Sequence, residues 1–269
     1  MSLCWFASIL LEKQLLRLGT EMKIGVIGIG NIGGTLARKL IAAGHRVRVA
    51  NSKGPDDVRP FADEIGAEAV DTRSAINGVE VVILAIPLSA TAKLPKSLFD
   101  GVPQTVPIVT TSNYYPELGD PRIPEIDAGQ VESVWVSEQL GLPVIKAFNN
   151  ILAYSLAELG RPHGSENRLA IAVAGDDITQ KRTAMGLVDE IGFDPVDGGT
   201  LDESWRQQPS TPSYCCDWDA ETMRKALAAA MKGEAPRKRA QLPEQFRTLG
   251  ANPTHDDIVA LNRSLNWPD

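Results

Sequence analysis

The chain has 269 residues, 43% hydrophobic and 23% charged, which supplies a full apolar core and excludes a largely disordered polypeptide. Its 27 Lys and Arg against 34 Asp and Glu give a formal net charge of −7, so no nucleic-acid partner is expected. Three cysteines (Cys4, Cys215 and Cys216) are too few for a disulfide framework and fit a reducing, cytoplasmic setting, and three histidines without ligand spacing predict no metal.

Residues 1–22 read as an N-terminal extension. The apolar stretch 4–11 is too short to span a membrane and lacks the basic flank of a signal peptide, so no membrane partner is expected. It is either an amphipathic turn packed on the body or sequence ahead of a native start at Met22. Residues 23–27 (KIGVI) are apolar and run into glycines, which predicts a buried strand. Ile32, Leu36, Leu40 and Ile41 fall near helical spacing, predicting a helix over 32–43 that stops at Gly44. Strands are predicted at 46–50 and 68–70, with helices at 56–65 and 72–76. The run 80–85 (EVVILA) is the clearest central strand, and Pro87 ends it. Strands at 106–110, 144–147, 168–174 and 193–196 follow, with a helix at 178–191. This alternation predicts an α/β fold of the Rossmann type: a doubly wound, mostly parallel sheet that binds its ligand at the carboxyl ends of the strands. Residues 23–199 form the dinucleotide-binding domain, and 200–269 a C-terminal loop and helical cap with helices at 220–231, 243–249 and 254–262. The basic cluster Lys232, Arg237, Lys238 and Arg239 reads as a solvated connection between two of those helices.

Between the first strand and the first helix stands Gly28-Ile29-Gly30-Asn31-Ile32-Gly33, a G-x-G-x-x-G run in the context that gives the motif meaning. The first glycine allows a tight turn, the second lets backbone approach a pyrophosphate, and the third allows the helix to pack on the strand. The phosphates would rest on the helix N-terminus. At the end of the second strand an NAD enzyme places a carboxylate for the ribose hydroxyls. Here Asn51, Ser52 and Lys53 occupy that place, so a hydroxyl and a cation favour the 2′-phosphate of NADP(H). Asp56 and Asp57 follow as first-turn residues of the next helix, where carboxylates complement its dipole.

Three further strand ends converge on the same crevice. Ile86 and Pro87 offer an apolar wall, and Ser112, Asn113 and Asn149, with Ala147 and Phe148, offer groups to fix a nicotinamide. No acid–base catalyst is evident: His163 lies in a polar loop, Tyr114 and Tyr115 either donate a proton or stack, and Lys146 sits inside a strand. Direct hydride transfer between two stacked rings needs no such catalyst.

The segments KIGVIGIGNIGGTLARKLIAAGH, VVILAIP, TTSNYY, VIKAFNNILAYSL and IGFDPVDGGTL, spread over residues 22–201, resemble the coenzyme F420-dependent NADP oxidoreductases. They are similar also to the cytoplasmic reductase domain of the STEAP metalloreductases. The resemblance implies a Rossmann-type domain, a compact C-terminal part, a homodimer, and NADPH exchanging hydride with a flavin or with F420. It implies that residues 28–33 hold pyrophosphate, that Ser52 and Lys53 meet the 2′-phosphate, and that Ile86, Pro87, Ser112, Asn113 and residues 147–149 line the nicotinamide. The chain departs from the family pattern at Ile29, where some members carry Thr, and at Lys53, which replaces a bidentate Arg with a point charge. Its 205–216 loop is longer and more aromatic than the deazaflavin enzymes would suggest, and the membrane half of the metalloreductases has no counterpart. Two alternatives to a ring acceptor stay open: reduction of a small carbonyl or imine with Tyr114 or His163 as proton donor, and a non-enzymatic NADPH-binding sensor.

Overall fold

A computed structural model describes residues 21–267; the reading of the 4–11 stretch lies outside the described residues. Strands β1 (Lys23–Ile27), β2 (Arg46–Ala50) and β3 (Glu68–Ala69) alternate with helices α1 (Asn31–Ala42), α2 (Pro55–Ile65) and α3 (Thr72–Ile76). The chain continues through β4 (Val81–Leu84), the short helix α4 (Leu88–Thr91), β5 (Ile108–Thr110), α5 (Pro124–Asp127), α6 (Glu132–Leu140), β6 (Ile145–Lys146) and α7 (Ala153–Glu158). Six strands pair in parallel in the order β3-β2-β1-β4-β5-β6. The strand order reverses between β1 and β4, the switch point at which open α/β sheets bind ligands. Apolar side chains of β1 and β4 are buried on both faces, as parallel strands require: Ile24, Val26, Val81 and Ile83 pack under α1, while Val82, Leu84 and Ile27 pack on the other side.

The predicted elements through β4 lie within a residue or two of the observed ones. The second half is less regular. Strands β7 (Ala170–Val173) and β8 (Asp194–Asp197), linked by α8 (Ile178–Glu190), form a separate parallel pair. Among the described residues, it joins the main sheet at an antiparallel bridge between Lys146 and Ala174. Helices α6 and α7 were not foreseen. α6 carries Glu132 and Ser133 on its buried side, which breaks the apolar period that marks a helix in sequence.

Beyond β8 lie a 3₁₀ turn (Asp202–Gln207) and four helices: α9 (Ala220–Ala229), α10 (Glu234–Arg239), α11 (Leu242–Thr248) and α12 (His255–Asn266). The basic cluster is a correction: α10 is a helix rather than a loose connection, and Arg239 is buried, paired with Glu117 at 2.8 Å and set over the Tyr114 ring. The Ser- and Pro-rich residues 209–216 are all buried although they form no regular element. A buried loop needs partners for its backbone, and α12 provides them. Asn262 donates to the Cys215 carbonyl, Asn266 to that of Tyr214, and Arg263 to those of Cys216 and Asp217. Helix α12 begins in a reciprocal cap between Thr254 and Asp257. Thr254→Ala is expected to lower stability by about 1 kcal/mol in urea unfolding, with the 209–216 loop exchanging its amide hydrogens sooner than the sheet does.

Among the described residues no helix is long and apolar enough to cross a membrane, and no group of three or more His, Cys, Asp or Glu is placed to hold a metal ion.

Candidate active site at the carboxyl edge of the sheet

The turn from β1 into α1 is set by steric necessity. Gly28 has φ +96°, and a Cβ there would collide with the Ala85 carbonyl at the end of β4. A Cβ on Gly33 would collide with the Gly28 carbonyl and come within 2.7 Å of the Ala85 methyl. Gly30 differs: a Cβ there would meet nothing within 4 Å. The first and third glycines are thus required by the protein's own packing, whereas the second keeps open the space in front of α1. That helix has Gly30 as its N-cap, no side-chain cap and no acidic residue in its first turn. Its N–H groups and dipole are therefore available to an anion. A dinucleotide pyrophosphate fits this cradle.

At the end of β2, Asn51 organises the loop. Its amide donates to Asp57 at 2.6 Å, and its oxygen accepts from the Lys53 backbone N–H at 2.9 Å. The Asn51 bond, aided by the Lys53 charge, holds the Asp57 carboxyl below the usual carboxylate range. Lys53 Nζ stands 3.4 Å from Asp57, and Ser52 and Lys53 are exposed beside it.

The ends of β4, β5 and β6 carry the remaining candidates. Ser112 Oγ donates to the Ile86 carbonyl at 3.0 Å, fastening two strand ends together, and Pro87 is exposed. Asn113 and Asn149 are mutually bonded: Asn113 Nδ2 donates to the Asn149 carbonyl (2.9 Å) and Asn149 Nδ2 to Asn113 Oδ1 (3.1 Å). Between Ala147 and Asn149, Phe148 is buried with φ +58°. A bulky residue held in that region stores strain of order 1–3 kcal/mol, and here it turns the chain so that Asn149 faces Asn113.

The C-terminal segment closes on this pair. Asn149 Nδ2 donates to the Gln207 carbonyl at 2.6 Å, and Gln207 Nε2 returns a bond to Asn149 Oδ1 at 2.9 Å. Asn113 Nδ2 also donates to the Tyr214 hydroxyl at 3.0 Å, and the Tyr115 hydroxyl donates to Tyr214 at 2.5 Å. Burial raises the pKa of both phenols well above the ordinary tyrosine value. Beneath this layer Lys146 and Glu132 are completely buried, with Nζ 3.4 Å from Oε2, and Lys146 also donates to the Ser112 carbonyl at 2.5 Å. Burial lowers the lysine pKa and raises that of the carboxyl.

Two candidates lie elsewhere. Tyr114 is fully buried, with its hydroxyl donating to Asp127 at 3.0 Å and accepting from the Ile123 N–H. His163 is exposed and paired with Asp189 at 2.9 Å. The next residue, Glu190, bonds His45, which precedes β2 at the opposite edge of the sheet from the glycine cradle. The structure thus brings residues 28–33, 86–87, 112–113 and 147–149 to one edge, and does not bring His163 or Tyr114 into it. The unusual length and aromatic content of the 205–216 loop mark it in sequence as a distinct acceptor-side element, but do not single out Gln207 and Tyr214 as the residues that contact Asn113 and Asn149.

Residues 23–114, which include the cradle and the Ser112–Asn113 strand end, match the family described as NADP oxidoreductase, coenzyme F420-dependent. The protein YjhV of Escherichia coli (strain K12) is 54% identical over 107 residues, covering 40% of this chain and 78% of YjhV. The chain belongs to this family. The crystal structure of protein SMa0349 from Sinorhizobium meliloti superposes with a TM-score of 0.60 at 30% identity, covering 72% of this chain and 93% of that one. Similarity to the metalloreductase STEAP3 of Rattus norvegicus is distant: 25% identity over 179 residues, 66% of this chain, which spans 34% of that protein. Family and fold are consistent with NAD(P)H-dependent oxidoreductase activity in general.

Proposed function

We propose that this protein is an NADP(H)-dependent oxidoreductase whose dinucleotide lies along the carboxyl edge of the sheet. The observation that carries the reading is the contrast among the three glycines: two are demanded by internal packing, while Gly30 keeps free a volume in front of an uncapped helix N-terminus. Residues 28–33 hold the pyrophosphate, Ser52 and Lys53 meet the 2′-phosphate, and Ile86, Pro87, Ser112, Asn113, Ala147, Phe148 and Asn149 form the nicotinamide wall. When bound, the cofactor supplies a hydride. The chain orients the ring against the strand ends and keeps water from its buried face.

Lys53→Ala is expected to weaken NADPH binding about tenfold, one charge-assisted contact of about 1.4 kcal/mol, and to leave NADH binding unchanged. Fluorescence titration with both nucleotides measures this. Loss of equal size for the two would remove Lys53 from the 2′-phosphate site.

A flavin or deazaflavin such as F420 is the acceptor that the family description supports. Reduction of a small carbonyl or imine is supported by a different observation, the Tyr115–Tyr214 hydroxyl pair beside Asn113. Anaerobic stopped-flow oxidation of NADPH, with FMN, FAD, riboflavin and F420 offered in turn and NADH as control, tests the oxidoreductase reading. Saturable oxidation with any acceptor supports it, and absence of NADPH binding would overturn it.

A further inference from the structure

Between the sheet mouth and the C-terminal helices lies a cavity of about 70 Å³, lined by Tyr115, Tyr214, Cys215, Leu152, Phe246 and Ile258, with Ser210 and Asn262 as its other polar side chains. We propose that this cavity is the substrate subsite and that it takes a small, neutral, apolar carbonyl compound, with Tyr214 as the proton donor. The proposal rests on the NADP(H) reading above and names the acceptor for it.

Size is the first argument. Sites for drug-sized ligands run to about 300–1,000 Å³, so a tricyclic ring does not fit a space of about 70 Å³. The crevice cannot simply widen on that side. Residues 209–216 are buried and tied to the strand end: the Cys215 N–H donates to the Asn150 carbonyl, and Asn150 Nδ2 donates to the Ser213 carbonyl. Polarity is the second. Leu152, Phe246 and Ile258 present hydrocarbon, and no Lys, Arg, Asp or Glu lines the space, so a charged substrate would lose its hydration without compensation. Ser210 is 3% exposed, and its Oγ has no partner among the described residues, leaving one hydroxyl for a bound oxygen.

The phenol pair gives the third argument. The Tyr214 oxygen accepts from Asn113 Nδ2 and from the Tyr115 hydroxyl, so its own proton goes to the Cys215 sulfur on the cavity wall, a weak acceptor that a bound carbonyl oxygen would displace. Burial keeps both phenols protonated at neutral pH, and it likewise keeps Cys215 a neutral thiol, so no covalent attack by sulfur is involved. In the reduction, the carbonyl carbon gains the hydride supplied by bound NADPH, which leaves as NADP⁺. The carbonyl π pair moves to oxygen, and that oxygen takes the Tyr214 proton to form the alcohol. Tyr115 passes its proton to Tyr214, and solvent restores the pair.

Binding is tested first without nucleotide, by saturation-transfer NMR with butanone, 2-octanone and FMN on the full chain. Turnover with NADPH then follows for the same three compounds in wild type, Tyr214→Phe, Tyr115→Phe and Phe246→Ala. The expected result is saturable butanone binding that FMN does not displace, and butanone turnover that Tyr214→Phe lowers at least 100-fold with the NADPH Kd unchanged. Phe246→Ala, which opens the apolar end, is expected to shift preference toward 2-octanone at least tenfold, and this readout survives should either tyrosine variant fold poorly. If NADPH is bound and oxidised by FMN while butanone neither binds nor reacts, the substrate proposal fails and the oxidoreductase reading stands. If butanone turnover is unchanged in Tyr214→Phe, the phenol is not the donor and the proposal is likewise overturned. If NADPH does not bind at all, both fall together.

Discussion

Gly30→Ala is expected to leave the thermal midpoint of the protein within a degree or two of wild type and to weaken NADPH binding on the order of 100-fold. The two halves of this expectation have separate causes. A methyl group at Gly30 meets no protein atom within 4 Å, so folding loses nothing by packing. The same methyl occupies the volume in front of α1 where a pyrophosphate oxygen must approach backbone N–H groups. Losing one or two hydrogen bonds to a charged oxygen, each worth about 1.5–3 kcal/mol, gives the stated factor. Gly33→Ala should behave in the opposite order. Its methyl is driven into the Gly28 carbonyl and the Ala85 side chain, so α1 must lift from the sheet. Overpacking of this kind costs about 1–3 kcal/mol and more where only backbone can move, and the cradle is lost with it. Calorimetry and NADPH titration on the two variants separate a binding glycine from a packing glycine. Equal destabilisation by both would mean that the Gly30 volume belongs to the fold, and the dinucleotide assignment would lose its support.

The same distinction explains how far the sequence could be read. Residues 23–85 were legible because each strand is a short apolar run closed by glycine or a polar turn, and each helix shows its period. Parallel strands must be apolar on both faces, and β1 and β4 show it. Legibility falls where tertiary contacts replace pattern. β6 has only two residues in regular pairing, one of them a lysine, and α6 buries a glutamate. Each charge looks like a surface residue in sequence, and each is inside only because the other is there. Residues 209–216 are rich in Ser and Pro and show no apolar period, and they are buried because Asn262, Arg263 and Asn266, some fifty residues later, take up their carbonyls. The Asn113–Tyr214 contact spans a separation of 101 residues. No local rule foretells it, which is why the strand-end candidates can be named from sequence while the contacts that the C-terminal segment makes to them cannot. His163 shows the converse. A polar loop histidine is plausible for catalysis until topology places it beside Asp189, near His45 at the amino edge.

The buried Lys146–Glu132 pair leads to the other large expected effect. Lys146→Met should destabilise the protein by about 3–5 kcal/mol, because it leaves a carboxylate sealed in the interior with its nearest cation gone. The loss should depend on pH in a fixed direction. Burial holds the folded-state pKa of Glu132 above its unfolded value of about 4.3, and removing the lysine removes the main charge that opposes this shift. A carboxyl with a raised folded pKa folds without penalty below its unfolded pKa. The penalty then grows by about 1.4 kcal/mol per pH unit until the folded pKa is passed. Lys146→Met should therefore lie closest to wild type in mild acid and furthest from it above neutrality, as urea titrations at pH 5 and pH 8 would show. The double variant Lys146→Met/Glu132→Leu should recover most of the stability, since an apolar pair of similar volume carries no desolvation cost. It should not recover cofactor binding in full. Lys146 Nζ also holds the Ser112 carbonyl, and without that bond the Ser112–Asn113 wall is free to shift. A double variant as stable as wild type, yet several-fold weaker for NADPH, would show that the lysine is kept for the position of that wall and not for the stability of the fold. Full recovery of both properties would show that the pair serves stability alone.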